Sequence, residues 1–467
     1  MKGRQSESSM LKKLLRSPFT ALFDEAQLLP EIRRSILFMI MGNMCGNLFN
    51  VIAAGTALTG LAGKLGANDF LFGVLTAIPF FGTLLQIPAA ILVSRTKKRK
   101  KYMLTFGTLS RALWILMGLV PWIVPMQPAW LRIWTVIFLV GVSSVGGSFI
   151  NVCFTPWMAD LVPVTIRGRW MSLRERIGSV LAVSMGLLSA YLLDTLPGYS
   201  GYALVFVLGG TFGVLDMFCF IGVKNVPMKT ASDVSLSSVL RQMHMDKPFF
   251  RFLLFWTLWS LSSNMANPFF ARFALGPLQL SFMQITLAGQ VTASVATVLF
   301  IPRWGRLMDR YGYKPIMWAA CLVTASAPAI WLFSTPGSAL TMFLFNAVGA
   351  SFWCAVNLGA LNTLLALSPA QHRPSYIAVF SAVTSIAGAF TGVLLGGMLL
   401  QGIQDYVAYN KVTVFGAVPD HYRIVFVLAM GLRIATVLVF LPKIENNKAA
   451  TFADMRRDFF NRLIGGR

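Results

Sequence analysis

The chain has 467 residues, of which 56% are hydrophobic and 12% charged, and a mean hydropathy of +0.67. Too little polar surface is available for a water-soluble globule, so the composition points to an all-α polytopic membrane protein. The formal net charge of +23 does not indicate a nucleic-acid partner, because Lys and Arg fall in short clusters between apolar runs and form no basic face on a folded module.

About 20 apolar residues are needed per span, which predicts twelve transmembrane helices. The first six cover 35–60, 70–94, 103–125, 131–156, 176–196 and 202–223; the second six cover 251–275, 280–302, 316–335, 338–368, 376–402 and 422–442. The expected organisation is an N-terminal segment 1–34, a six-helix bundle 35–223, a linker 224–250, a second bundle 251–442 and a tail 443–467. Within the linker, the run from Ser237 to Met243 has the composition of a surface helix. The first apolar run follows Lys12, Lys13, Arg16, Arg33 and Arg34 and is longer than a signal-peptide core, so no cleavable signal is expected. Of the 40 basic residues, 33 fall on the side of the two termini, four on the other side and three within spans. Because basic loops are retained in the cytoplasm, both termini are expected there, in a multi-pass protein of the cell (inner or plasma) membrane contacting membrane lipids.

The two halves repeat. Asn47-x-x-Asn50, midway along span 1, recurs midway along span 7 as Asn264-x-x-Asn267, and Tyr202-Ala-Leu-Val-Phe-Val-Leu recurs at a similar offset as Tyr422-Arg-Ile-Val-Phe-Val-Leu. Span 5 carries Gly178, Ala182, Gly186 and Ala190, and span 11 carries Gly388, Gly392, Gly396 and Leu400, matching it in small side chains at three of four places; such ladders, one residue per helical turn, let helices approach in lipid.

Between spans 8 and 9 the chain reads Gly305-Arg-Leu-Met-Asp309-Arg310-Tyr-Gly312-Tyr-Lys314-Pro315. This resembles the signature loop of the major facilitator superfamily, and Pro156-Trp-Met-Ala-Asp160-Leu-Val-Pro163 with Arg167-Gly-Arg169 resembles the span 4–5 connection of its bacterial members. In chemical terms Gly305 permits close helix contact, Asp309 offers a carboxylate, and Arg310 and Lys314 stay at the surface. The resemblance implies two pseudo-symmetric six-helix bundles, a conformational latch at Gly305, Asp309, Arg310 and Lys314, a gating role for Asp160 and Arg167 of the span 4–5 connection, and a monomer. At the equivalent place in the first half, Ser94-Arg95-Thr-Lys-Lys-Arg keeps the base but lacks the glycine and the acid. Span 5 has no Gly-Pro pair of the kind found in drug/proton antiporters of this superfamily, which weighs against multidrug efflux.

By the same resemblance spans 1, 4, 7 and 10 line a central cavity, where Asn47, Asn50, Asn264 and Asn267 are the first candidates for hydrogen-bonding a solute. Asn151 and Asn357, with Asn43 and Asn362, are secondary candidates; Trp157 and Trp353 suit stacking, gating or plain packing. Among 17 acids only Asp216 lies deep in a span, at a depth similar to Arg111, and the two are expected to form an intramembrane ion pair; proton coupling through Asp216 is the sharper alternative. Arg272 suits either an anion or an interface anchor. Three histidines without catalytic spacing, five cysteines without metal or disulfide spacing and no phosphate-cradling loop argue against an enzyme, a metal, a cofactor or ATP-driven transport. The expected function is alternating-access secondary transport of a small organic solute, driven by a solute gradient or a coupling ion such as a proton or sodium. A lipid or amphiphile translocase on the same fold is the alternative.

Overall fold

The computed structural model describes residues 29–53, 55–128, 130–226, 246–369, 373–410 and 420–444. Twelve long helices organise them: α1 Pro30–Lys64, α2 Asp69–Thr96, α3 Arg99–Ile123, α4 Trp130–Leu161, α5 Val164–Thr195, α6 Ser200–Gly222, α7 Lys247–Leu275, α8 Phe282–Tyr311, α9 Tyr313–Phe333, α10 Leu340–Leu367, α11 Ser375–Asn410 and α12 His421–Lys443. Eleven are long and apolar enough to cross a membrane; α7, at 29 residues, is long enough but carries Arg251, three serines, two asparagines and Arg272. It tolerates them because it is an inner helix, packed on α11 and α12 with Phe252, Phe255, Phe269 and Phe273 fully buried. Large apolar side chains elsewhere, such as Phe138, Val180 and Val298, lie exposed on the bundle surface, as lipid contact requires.

Several helices outrun their apolar cores. α5 begins at Val164 where the hydropathy pattern starts span 5 at 176, so Arg167 and Arg169 ride on the helix and the α4–α5 connection shrinks to Val162 and Pro163. Arg is a good helix former, so polarity ends the apolar run without ending the helix. α7 likewise starts at Lys247, with Asp246 as N-cap accepting from the Phe249 amide at 3.2 Å and Pro248 in the first turn. α1 is interrupted near Gly55, which is extended at ψ −177°. α8 and α11 each contain a π-helical stretch, Leu287–Val291 and Thr384–Phe390. The expected surface helix from Ser237 to Met243, most of the linker and most of both terminal segments lie outside the described residues.

The repeat read from the sequence has a structural counterpart. Gly312 joins α8 to α9 with φ 85°, and at the equivalent junction of the first half Lys97 leads from α2 to α3 with φ 55°. Lys100 donates to the Ile221 and Val223 carbonyls at the end of α6, and Lys314 donates to the Pro442 carbonyl at the end of α12. Lysines thus complement the exposed carbonyls at the last helix of each half.

The two halves meet unequally at their two ends. At the end bearing the basic loops, each half has its own apolar core, one around Met103, Trp157 and Trp170 and the other around Phe249, Tyr311 and Met317. At the far end a single core joins both, with Phe72 of α2 edge-on to Phe269 of α7 at 5.6 Å. The bundles therefore converge at the far end and separate toward the basic end.

Candidate solute-binding cavity and its closure

Between the halves lies a cavity of about 750 Å³. Asn47 and Asn50 of α1 and Asn267 of α7 line it, so one asparagine of each repeated pair reaches the same space from opposite halves. Asn50 and Asn267 are exposed to it, whereas Asn47 donates to the Asn43 carbonyl at 2.8 Å and packs its amide against Gly178, where an added Cβ would lie 2.7 Å away. The break in α1 brings Gly55 and Thr56 to the wall, an arrangement that presents backbone as well as side chain to a ligand. No Asp, Glu, Lys or Arg among the described residues lines this space. Its chemistry is that of amides, hydroxyls and apolar surface, suited to neutral hydrogen-bonding groups.

The repeated motif is not used symmetrically. Asn264 lines neither this cavity nor the second one described below; its amide turns back to the Ser260 carbonyl at 2.8 Å, the i−4 position on its own helix. Asn151 is exposed and away from both, while Asn357 and Trp353 line the second cavity and Trp353 stacks on Trp259 at 6.1 Å. Trp157 is fully buried and donates to the Lys224 carbonyl at 3.0 Å, which makes it packing and not a stacking platform. A residue that polarity on the inner helices missed is Gln290, in the π-helical stretch of α8. It lines the cavity and donates across the halves to the Ala182 carbonyl of α5 at 2.9 Å, passing over Gly186. The signal for it is an amide at mid-span, beyond the capping Gln284, whose partner helix has a glycine at the facing step.

The far end is closed by polar contacts between halves. Asp69, 3% exposed at the start of α2, pairs with Arg272 of α7, accepts from the Tyr422 hydroxyl of α12 at 2.7 Å and lies 3.2 Å from His421 Nε2. Arg272 also donates to the Ala67 carbonyl, so its charge is already met and it offers no anion site. Asp194 of α5 accepts from the Phe282 and Met283 amides at 2.9 and 2.8 Å, capping the start of α8. Beside these, Gly73 of α2 lets the Gly397 backbone approach so closely that an added Cβ would sit 3.1 Å from its Cα.

At the basic end Asp309 and Arg310 are exposed at the end of α8, and Arg310 lies 5.1 Å over the Tyr311 ring. Gly305, expected to permit close helix contact, has none of the described residues within 4 Å of an added Cβ. In this conformation Gly305 therefore makes no such contact. In the first half the missing loop acid is supplied from another helix: Arg99, 1% exposed, binds Asp160 of α4 at 2.6 Å and the Val226 carbonyl. Arg167 donates to the Ala159 and Val162 carbonyls, capping the end of α4. Deep in the N-terminal half Arg111 Nη2 lies 3.7 Å from Asp216 Oδ2 and its guanidinium sits 3.8 Å over the Phe49 ring.

Two six-helix bundles joined at one end around a central cavity define a membrane transporter fold. A family model described as Major Facilitator Superfamily matches residues 39–295 and 260–460, and the chain belongs to that family. Among solved structures it resembles a bacterial homologue of the human lysosomal transporter Spinster, inward-facing and unoccupied, with TM-score 0.66, 15% identity, and coverage of 89% of this chain and 97% of that one. The nucleoside transporter NupG aligns with TM-score 0.63, 12% identity and coverage of 89% and 100%. The xylose transporter XylE from E. coli, inward open, aligns with TM-score 0.59, 16% identity and coverage of 91% and 99%. Among curated proteins, the class H tetracycline resistance protein of Pasteurella multocida is 32% identical over 113 residues, 24% of this chain and 27% of that protein's length.

Proposed function

We propose that the protein is a secondary transporter of a small organic solute, working by alternating access with the solute held between Asn50 and Asn267. The observation that carries this reading is that these two residues, related by the sequence repeat, line one cavity from opposite halves. A ligand bound there contacts both bundles and is sensitive to their relative tilt, which is what couples binding to rocking. The uncharged character of the described cavity wall favours hydrogen bonding to neutral groups of the solute. With Lys and Arg concentrated at the end of the termini, that end is cytoplasmic in this reading, and the conformation is open inward. The likeness to sugar and nucleoside transporters is one of fold, and the match to the tetracycline resistance protein covers about a quarter of each chain, so both support transport without naming the solute. Energy comes from a solute or ion gradient.

Asn50→Ala and Asn267→Ala are each expected to abolish uptake of the solute, or its binding to purified protein, with membrane abundance unchanged. Wild-type uptake in both variants would remove these asparagines from the site.

A further inference from the structure

A second cavity, about 540 Å³, lies within the C-terminal bundle and shares Asn267 with the first. Arg433 of α12 is the single charged residue on its wall among the described residues, 4% exposed, at mid-length of the helix. One of its nitrogens, Nη2, donates to the Ser263 carbonyl at 2.9 Å, and Nε makes no hydrogen bond. Among the described residues Arg433 has no carboxylate partner. An unpaired guanidinium inside a membrane bundle is unfavourable and retained for a reason beyond packing.

The repeat shows what is missing. Arg433 follows Asp216 at the same sequence offset that carries Asn47 to Asn264 and Asn50 to Asn267, and that offset also carries Gly46 to Ser263. In the N-terminal half Asp216 lies against Gly46 and is neutralised by Arg111 of α3. In the C-terminal half the cation lies against Ser263, but the matching stretch of α9, Thr324 to Pro328, has no charged residue. Thr324 instead lines the cavity. The place of the internal counter-ion is thus taken by empty volume facing a cation, with Asn346 and Asn357 also on its wall.

We infer that Arg433 and the surrounding second cavity form a subsite for the carboxylate of the transported solute, whose neutral part occupies the first cavity beside Asn267. The bound carboxylate acts as the counter-ion that the C-terminal half lacks, and a guanidinium with free donors is the group best matched to it. The inference rests on the first cavity being the solute site.

The test is a thermal-shift series on the purified full-length protein with millimolar lactate, benzoate and gluconate, each beside its neutral counterpart lactamide, benzamide or glucose, because a ligand of the folded state raises the midpoint. At least one carboxylate should raise the wild-type midpoint more than its counterpart, and Arg433→Gln should weaken its apparent Kd at least about 30-fold. Thr324→Asp, which supplies an internal acid, should also abolish the response while keeping the ligand-free midpoint at or above wild type; it serves if Arg433→Gln does not fold. Equal responses to carboxylates and their counterparts in wild type, or a wild-type response in Arg433→Gln, overturn the inference. A response lost in Asn50→Ala but indifferent to charge leaves the first cavity standing and removes the second. A response that needs Arg433 but survives Asn50→Ala does the reverse.

Discussion

Asparagines related by one repeat end in different environments, and so do the buried charges. Asn50 and Asn267 open into the cavity, whereas Asn264 satisfies itself on its own helix turn. An asparagine in a helix can always reach the i−4 carbonyl, so the residue type announces polarity but not direction. The Arg111–Asp216 pair is of another kind: Asp216 is buried and Arg111 largely so, at 8% and 13% side-chain exposure, and glycines at 42 and 46 make room for the carboxylate. Removing one partner of a buried pair leaves the other uncompensated, typically a loss of about 3–5 kcal/mol. Asp216→Asn should therefore lower the melting midpoint by several degrees, and Arg111→Gln in addition should recover part of the loss. A double variant no more stable than the single would show that each residue acts through contacts of its own. The pair was legible because a single deep acid and a base at equal depth have few other solutions in lipid. Asp69 was not, because its role depends on Arg272 and Tyr422, which belong to the other half of the chain.

At the scale of helices, the small-residue ladders had a clear physical meaning, but their partners were open. The α11 ladder packs on α7: an added Cβ would lie 2.3 Å from the Leu261 carbonyl at Gly392 and 2.1 Å from the Met265 carbonyl at Gly396. Backbone cannot yield as a side-chain tip can, so Gly392→Ala should destabilise by about 1–3 kcal/mol, seen as reduced abundance and a lower midpoint. Gly141→Ala is the control. None of the described residues lies within 4 Å of an added Cβ there, and losing a helix glycine should leave the midpoint unchanged or raise it by the equivalent of about 0.5–1 kcal/mol. The α5 ladder instead serves two partners, Asn47 at Gly178 and Gln290 of the other half at Gly186. Helix ends were the least legible feature, since Arg-rich turns such as those at the start of α5 leave the apolar run while remaining helical.

At the scale of the whole molecule the closed far end is where the two halves are joined. Asp69 gathers Arg272, His421 and Tyr422 from the opposite half into one cluster. Arg272→Gln should loosen the far-end contact and shift the population toward a state open at that end. Spin labels at Gly63 and Thr335, on exposed far-end positions of opposite halves, should then show a longer mean distance than in the otherwise wild-type protein. An unchanged distance distribution would mean that the apolar core around Phe72 and Phe269 closes this end without the ion pair.

The amino-acid sequence by itself determined the membrane class, twelve helices and their duplication, because bilayer thickness and the cost of unsatisfied polarity act on every segment locally and repeat with it. It also determined which inner helices carry polar side chains. Only the tertiary structure decided which of those side chains meet: that Asn50 and Asn267 share a cavity, that Gln290 reaches across to α5, that Asp160 supplies the acid lacking from the first-half loop, and that Arg433 faces a cavity where its N-terminal counterpart faces an arginine. Those outcomes depend on helix rotation and on the tilt between the bundles, which are set by side-chain packing summed over all twelve helices and leave no mark in any single one.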